Sequence, residues 1–359
     1  MHVMALSNQK GGCGKTTSAI NIAASLASLG KRTLLIDLDP QAHATFGLGI
    51  RSEKLEKSMY NVLTEQQGKK KSFIENIIVP MGDHFDLAPS HILLSTIEQE
   101  FTNKDESVSK LHEVLASLSF PYDYVVIDCP PSLGFLTFNA LRASNTVIVP
   151  IELGSFSLMG VGKLLSMIEL IRVKLQHTPK VYALPTMVDR RTRFATRMME
   201  EISDAFGEHV LNTPIRQTVV IRESQAKGLP LIEYNPKSKG SMDYLVLSQE
   251  ILNKTTAEGT AYPLLEEKSA ALSNRLRDFM VKASGAREVH LVGDFNGWSL
   301  SNTSLLWQKE EGLWQKRLFL EPGRYRYKFV IDGQWTTDPA NDHLEPNPYG
   351  GLDSVVEVH

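Results

Sequence analysis

Apolar and polar positions divide the chain into two textures. In the N-terminal one, short apolar runs at residues 3–6, 33–38, 124–128, 146–150 and 181–185 stand between segments whose small and apolar residues recur at helical spacing, as over 18–29, 161–174 and the positions Phe194, Met198, Ile202 and Phe206. These runs lack the alternation of a half-exposed strand, so each is read as a strand buried on both faces and covered by helices. Residues 85–89 read as another strand end, 92–101 and 108–118 as helices, and the polar stretch 49–71 as helices and loops over the sheet. Strand, helix, strand at this spacing is a βαβ unit. It implies an α/β fold, a mostly parallel sheet flanked by helices, with ligands at the carboxyl ends of the strands.

The texture changes after residue 253. Lys254-Thr255-Thr256-Ala257-Glu258-Gly259-Thr260 is linker-like and 264–281 is a charged amphipathic stretch, which together predict a linker and connecting helix over 254–286. From Arg287, short alternating runs at 289–293, 314–320 and 325–330, with turn signals at Pro322-Gly323 and Asp332-Gly333, predict a C-terminal all-β sandwich over 287–359. The expected domains are therefore 1–253, a connector, and 287–359.

Candidate chemistry begins where the first strand meets the first helix, at Asn8-Gln9-Lys10-Gly11-Gly12-Cys13-Gly14-Lys15-Thr16-Thr17. Gly11, Gly12 and Gly14 can adopt φ > 0 and turn successive backbone N–H groups toward an anion at the helix N-terminus. In such a P-loop, running from Gly11 through Cys13 to Thr17, Lys15 reaches the β- and γ-phosphates and the Thr16 hydroxyl holds Mg²⁺, so ATP and Mg²⁺ are the expected cofactors. The position that usually opens the pattern with glycine is Gln9, and a second lysine, Lys10, follows it. Asp37 and Asp39 close the second strand, where carboxylates either cap a helix or, beside a phosphate loop, order metal-bound or attacking water. Asp128 ends a later strand, the place from which an acid reaches Mg²⁺ through water, and Pro130-Pro131 with Gly134 suits a loop that senses the γ-phosphate. Cys129 has no neighbouring histidine in sequence to activate it and reads as a small buried residue. His84, His91 and His112 are scattered, as surface or capping residues are.

A basic cluster, Arg190, Arg191, Arg193 and Arg197, opens the helix that contains Met198, and Arg216, Arg222, Lys227, Lys237 and Lys239 follow. Converging on phosphates, such side chains bind DNA without reading bases. Glu200, Glu201, Asp204 and Glu208 interleave, so an ordinary solvated face is the alternative. The net charge of -3 over 359 residues gives no global drive toward nucleic acid or an anionic membrane, so binding of either kind must be local. Two cysteines exclude a disulfide framework or a zinc site. No run approaches the ~18 apolar residues of a membrane span, and the expected location is cytoplasmic, with no membrane partner.

Five motifs in order carry a resemblance. Lys10 to Thr17, Asp37-Leu38-Asp39-Pro40-Gln41, Asp128-Cys129-Pro130-Pro131-Ser132-Leu133-Gly134, Asp189-Arg190-Arg191-Thr192 and Glu233-Tyr234-Asn235-Pro236-Lys237-Ser238-Lys239-Gly240 are similar to the ParA/Soj branch of the ParA–MinD ATPases. The resemblance covers roughly residues 1 to 253. It implies a slow, partner-stimulated ATPase that forms an ATP-dependent sandwich homodimer, with Lys10 reaching the partner's phosphates and Asp39 supporting hydrolysis. It also implies non-specific DNA binding, assigned here to Arg190, Arg191, Arg193, Arg216 and Arg222, a nucleoid association, and the partitioning of DNA or positioning of a cargo protein. The family's Pro-Arg-Asn-Val-Arg loop stands here as Arg216-Gln217-Thr218-Val219-Val220, so its arginines are shifted.

Gly293-Asp294-Phe295-Asn296-Gly297-Trp298, Tyr327-Lys328-Phe329-Val330-Ile331-Asp332-Gly333-Gln334-Trp335 and Asp338-Pro339 resemble the glycogen-binding module of the AMP-activated kinase β subunit. The resemblance implies that Trp298 and Trp335 stack on sugar rings of an α-glucan while Lys328 hydrogen-bonds hydroxyls; packing or a protein partner is the other use of the two tryptophans. Tyr349, Gly351 and Asp353 stand where the module's remaining sugar contacts fall. The alternative to a DNA-bound positioning ATPase is a cytosolic regulator of α-glucan metabolism, in which the ATPase controls a partner enzyme without DNA.

Overall fold

The computed structural model describes residues 1–64, 74–101, 108–118, 122–154, 159–189, 191–256, 276–300, 304, 306–310, 312–320 and 323–358. The chain splits into two compact units, Met1–Leu264 and Leu265–His359.

In the first unit, seven strands form one sheet: β1 (His2–Leu6), β2 (Thr33–Asp37), β3 (Val79–Gly82), β4 (Phe85–Ala88), β5 (Tyr124–Asp128), β6 (Thr146–Glu152) and β7 (Lys180–Thr186), in the order β3-β4-β2-β5-β1-β6-β7. Every pairing is parallel except β3 with β4. The antiparallel edge strand β3 was not anticipated, because Val79-Pro80-Met81-Gly82 is too short and too mixed to show a period. The other strands are buried on both faces as their unbroken apolar runs require. Met4, Leu6, Leu35, Val126, Ile148 and Leu184 contribute to one core layer, and Val3, Ala5, Leu34, Ile36, Val125 and Ile127 to the other. Each large side chain of this kind contributes about 2 kcal/mol by leaving water.

Helix α1 (Lys15–Ser28) packs small residues, Ala19, Ala23 and Ala27 among them, against the first layer. Its first turn has no side-chain cap and no acidic residue, which leaves its leading N–H groups for an anion. Short helices α2 (His43–Gly47) and α3 (Met59–Thr64) follow β2, and α4 (Lys110–Ala116) and α5 (Phe135–Ala143) flank β5. Residues 92–101, expected as a helix, form a 3₁₀ helix over Ile92–Gln99, capped by His91, whose Nδ1 accepts from Leu93 N–H at 3.3 Å. Helix α6 (Met159–Leu175) precedes β7, and α7 (Arg193–Phe206) follows it. In α7, Met198, Ile202 and Phe206 are buried but Phe194 is 49% exposed, so its first-turn aromatic stays outside the core. Helices α8 (Val219–Lys227), α9 (Leu231–Tyr234) and α10 (Lys239–Thr256) complete the unit; α10 runs past the expected boundary at residue 253. No helix among the described residues is long and apolar enough to cross a membrane.

The second unit pairs two antiparallel sheets, β10-β11-β8 and β13-β12-β15-β14 with β9 on β12. These strands are β8 (Leu276–Lys282), β9 (Val289–Gly293), β10 (Trp307–Glu310), β11 (Leu313–Phe319), β12 (Gly323–Ile331), β13 (Gln334–Thr336), β14 (Leu344–Pro346) and β15 (Leu352–Val358). Phe279, Val281 and Trp314 from one sheet meet Leu291, Tyr327 and Phe329 from the other in a shared core, which makes a sandwich. The connecting helix expected through residue 281 is corrected at its end: 276–282 is a strand paired along its length with β11, so the β unit starts before residue 287. Phe279 and Val281 point inward while Met280 and Lys282 are exposed, a period of two that the longer charged stretch obscured. Residues 257–275 of that connector lie outside the described residues.

Candidate functional site

The sheet order sets β5 between β1 and β2, so three carboxyl ends lie side by side: Leu6 pairs with Asp128, and Asp37 pairs with Asp128 from the other flank. The P-loop leaves β1 at this edge. Gly12 and Gly14 take φ of 77° and 88°, the left-handed region a side chain disfavours. A Cβ built on Gly11 or Gly12 would meet nothing within 4 Å, so the concave side of the loop is open. Its frame is tied from below. Asn8 donates to the Pro150 carbonyl at 2.7 Å and accepts from Lys10 N–H at 3.1 Å, and the Thr186 hydroxyl donates to the Cys13 carbonyl at 2.8 Å. The Gln225 amide donates to the Thr17 hydroxyl at 2.9 Å. Lys15 is nearly buried, and its ammonium donates to the Lys10 carbonyl at 3.0 Å. Lys10 itself forms an ion pair with Glu152 at 2.6 Å.

Asp37 and Asp128 are both 0% exposed. Burial pushes both carboxyls up from the usual carboxylate range; the charge of Asp37 raises Asp128 further, and that of Asp39 raises both. They differ in support. Asp37 accepts from Thr45 N–H, the Thr45 hydroxyl and Asp39 N–H, whereas both oxygens of Asp128 lack a hydrogen-bond partner. Thr16 and Lys15 pull the Asp128 carboxyl back toward ionisation. An unpartnered buried acid next to a hydroxyl, an ammonium and an open anion cradle suits a divalent cation with phosphate, so the residues present fit Mg²⁺ and a nucleotide. No cluster of three or more His, Cys, Asp or Glu among the described residues is arranged to hold a metal by itself. A cation here would draw on Thr16 and on phosphate oxygens of a bound nucleotide. Asp39 is 5% exposed, with Oδ1 held by Gln41 N–H at 2.9 Å and Oδ2 3.8 Å from His43 Nδ1. Cys129 is buried, and burial raises its thiol well above the usual range, in keeping with an inert residue.

A cavity of about 820 Å³ opens beyond β7, lined by Val188, Asp189, Asn212, Pro214, Thr218 and Asp243 among others. Sequence reasoning missed it, along with Thr186, Glu152, Gln225, Thr45 and Ser90. Thr186 and Glu152 each end a strand at the site's edge, and that position was the signal available for them. The arginines assigned to DNA are not brought together on one element. Arg190 lies outside the described residues. Arg191 forks onto Asp189 (2.9 and 2.7 Å) and Arg216 onto Asp243 (2.6 and 2.7 Å), so both carry compensated charge at the cavity rim. Arg193 and Arg222 are exposed on α7 and α8.

In the β unit, Trp298 and Trp335 stack with centroids 6.3 Å apart and planes inclined by 25°. They line a cavity of about 650 Å³ with Lys328, Asp353 and Tyr349, so the structure unites all three residues assigned to sugar. Trp298 has φ 59° and its indole N–H donates to Asp294 at 3.0 Å, which fixes the ring. Lys328 is engaged by Asp353 at 3.2 Å, and Asp353 also accepts from the Asn347 amide at 2.8 Å. Tyr349 is 93% exposed, on a turn whose N–H groups at Tyr349 and Gly351 both donate to the Asn347 side chain.

Comparison with known proteins finds relatives for both units. Residues 1–181 match the family described as AAA domain, and residues 279–359 match the glycogen recognition site of AMP-activated protein kinase. The sporulation initiation inhibitor protein Soj of Bacillus subtilis (strain 168) is 37% identical over 250 residues, spanning 69% of this chain and 97% of Soj. The chromosome partitioning protein ParA of Myxococcus xanthus (strain DK1622) is 38% identical over 256 residues, 71% of this chain and 89% of that relative. Among solved structures, cobyrinic acid a,c-diamide synthase from Mycobacterium smegmatis, crystallised with an ATP analog and magnesium, superposes with a TM-score of 0.62 at 33% identity, covering 72% of this chain and 96% of that one.

Proposed function

The chain belongs to the Soj/ParA family, and from that premise we propose that its N-terminal unit is an ATP-dependent dimerisation switch whose C-terminal sandwich engages an α-glucan or glucan-coated cargo. The observation that carries the ATPase reading is Asp128: two buried, unpartnered carboxylate oxygens beside Lys15 and Thr16, under an open glycine cradle.

In this reading the N–H groups of 11–17 would bind the phosphates, Lys15 would exchange the Lys10 carbonyl for β- and γ-phosphate oxygens, and Thr16, with Asp128 beside it, would hold Mg²⁺. When bound, Mg²⁺ supplies charge neutralisation between the β- and γ-phosphates. Asp39, its Oδ1 pinned by Gln41, orients the attacking water through Oδ2. Lys10 leaves Glu152 to reach the partner protomer's phosphates, where a cation delivered across the dimer stabilises charge during transfer, as an arginine finger does. The cavity beyond β7, whose Thr186 is bonded to the P-loop, would offer room for the purine base. Hydrolysis is slow until a partner stimulates it.

Non-specific DNA is the second ligand of the switch, held by Arg193 and Arg222 with Arg190, while Arg191 and Arg216 take part only after releasing their aspartates. Those two compensated arginines favour a second reading, in which the ATPase regulates a partner enzyme on glucan without DNA. Retention of the unmodified chain on random duplex, with ATP and across a salt series, separates the two. Loss of retention in Arg193→Glu and Arg222→Glu supports the nucleoid reading, and absence of retention at low salt refutes it. Maltooligosaccharide binding that disappears in Trp298→Ala supports the glucan role, and an unmodified chain that binds none refutes it.

A further inference from the structure

Two buried hydroxyls connect Asp37, at the end of β2, and Asp39, just beyond it, to the segment that follows β4. Thr45, in α2, donates its N–H and its hydroxyl to Asp37 Oδ2 at 2.8 and 2.7 Å. The Thr45 oxygen accepts from Ser90 N–H at 3.0 Å, and the Ser90 hydroxyl donates to the Asp39 carbonyl at 2.5 Å. Asp39 N–H donates to Asp37 Oδ1 at 3.1 Å, which closes the path into a ring of four residues. Thr45, Ser90 and Asp37 are 0% exposed.

The ring acts on the backbone of Asp39 from both sides. Its N–H is held by Asp37, and its carbonyl receives the Ser90 hydroxyl as well as Ala42 N–H at 2.8 Å. With Oδ1 fixed by Gln41 N–H, the carboxylate has one oxygen, Oδ2, left for chemistry and little freedom in where it points. Asp128, one strand away, has no partner in hydrogen-bond geometry, with only the nearby Thr16 hydroxyl and Lys15 favouring its charge. Three donors saturate Asp37 and make it an anchor, so the two strand-end acids of this edge have divided tasks.

We propose that Thr45 and Ser90 are positioning residues for ATP hydrolysis, holding the Asp39 carboxylate in the orientation that serves the attacking water; this rests on the ATPase reading above. Neither side chain touches the P-loop in the bonds that define the ring, so the step they govern is turnover and not nucleotide capture. A carboxylate free to swing reduces the fraction of bound nucleotide in reactive geometry, an effect on kcat that leaves affinity in place.

The test compares the unmodified full chain with Ser90→Ala, Thr45→Val and Thr45→Ser, reading kcat, KM, the Kd of a fluorescent ATP analogue and Tm. Removing one such bond predicts a kcat about 3- to 10-fold lower in Ser90→Ala with Kd within about twofold. Thr45→Val, which also strips Asp37 of a donor, loses more, and Thr45→Ser returns to within about threefold of the unmodified chain because the hydroxyl is restored. Unchanged kcat in both Ser90→Ala and Thr45→Val overturns the proposal. So does a parallel loss of kcat, Kd and Tm that Thr45→Ser fails to rescue, which marks the ring as scaffolding. An unmodified chain that binds ATP without turnover overturns the ATPase reading itself, and its rate is measured in the same series.

Discussion

Two buried carboxyls meeting across the β2–β5 register should make the nucleotide-free protein lose stability as pH rises, and Asp128→Asn should recover part of it. Burial raises Asp37 from 3.8 to about 7, and the same cause, with Asp37 second, raises Asp128. A raised acid contributes stability that is fully present below its unfolded value and is lost as pH climbs through the folded one. The window therefore runs from about pH 4 to pH 8. For Asp37 that rise corresponds to roughly 4 kcal/mol as an upper bound for a carboxylate held charged at pH 8, and Asp128 is raised in the same direction. An asparagine at 128 removes a charge that burial disfavours but leaves a buried amide without partners, a cost of about 1–3 kcal/mol, so the net gain is the part of the charge's burial cost that exceeds this.

For a unit of this size each kcal/mol gained raises Tm by about 2–4 °C. Scanning calorimetry without nucleotide or metal should show Asp128→Asn melting higher at pH 8, with the difference shrinking as pH falls and the native acid takes up its proton. Mg²⁺ with ATP should narrow the gap from the other side, by stabilising the unmodified chain more than the variant. A variant that melts no higher at pH 8, or whose gain is the same at pH 5, refutes the account of Asp128 as a strained acid waiting for a cation.

Other outcomes follow from single contacts. Gly228→Ala places a Cβ 2.8 Å from the Gly49 Cα at a φ of +69°, so urea unfolding should show a loss of at least about 2 kcal/mol. Lys10→Ala should abolish ATP-dependent dimers in sedimentation velocity yet change monomer stability by less than about 1 kcal/mol, because the pair with Glu152 is partly exposed; intact dimers would remove Lys10 from the partner's site. Trp335→Ala leaves one face of a two-ring platform and should weaken maltoheptaose binding at least about tenfold by calorimetry, without lowering ATP turnover. Undiminished sugar binding in that variant would assign Trp335 to packing.

The parts of this molecule that were legible in its sequence are those where one local rule decides the outcome. Unbroken apolar runs are buried on both faces, so the central strands and their two core layers follow from Val125, Val126 and Ile127 and their counterparts without tertiary knowledge. Three left-handed-tolerant glycines before Lys15 announce an anion cradle in the same way. Residues 276–282 escaped because a short strand inside a charged stretch has the same composition as an amphipathic helix, and only pairing with β11 decides between them.

The site's supports were illegible for a different reason. Thr45 and Ser90 are separated in sequence by two strands and belong to no motif, yet they meet because β4 lies against β2. Charge compensation is equally nonlocal. Arg216 and Asp243 look like independent surface charges until a fork of 2.6 and 2.7 Å joins them. A basic cluster counted along the chain therefore overstates the field it presents to DNA, since forked ion pairs must be opened before their arginines can release counterions from phosphate. The same compensation joins Lys328 to Asp353 in the cavity they line with Trp298 and Trp335, which suits the uncharged polyol proposed as its ligand. On both units, then, residue type announced the chemistry, and the pairing of charges determines how much of it is available.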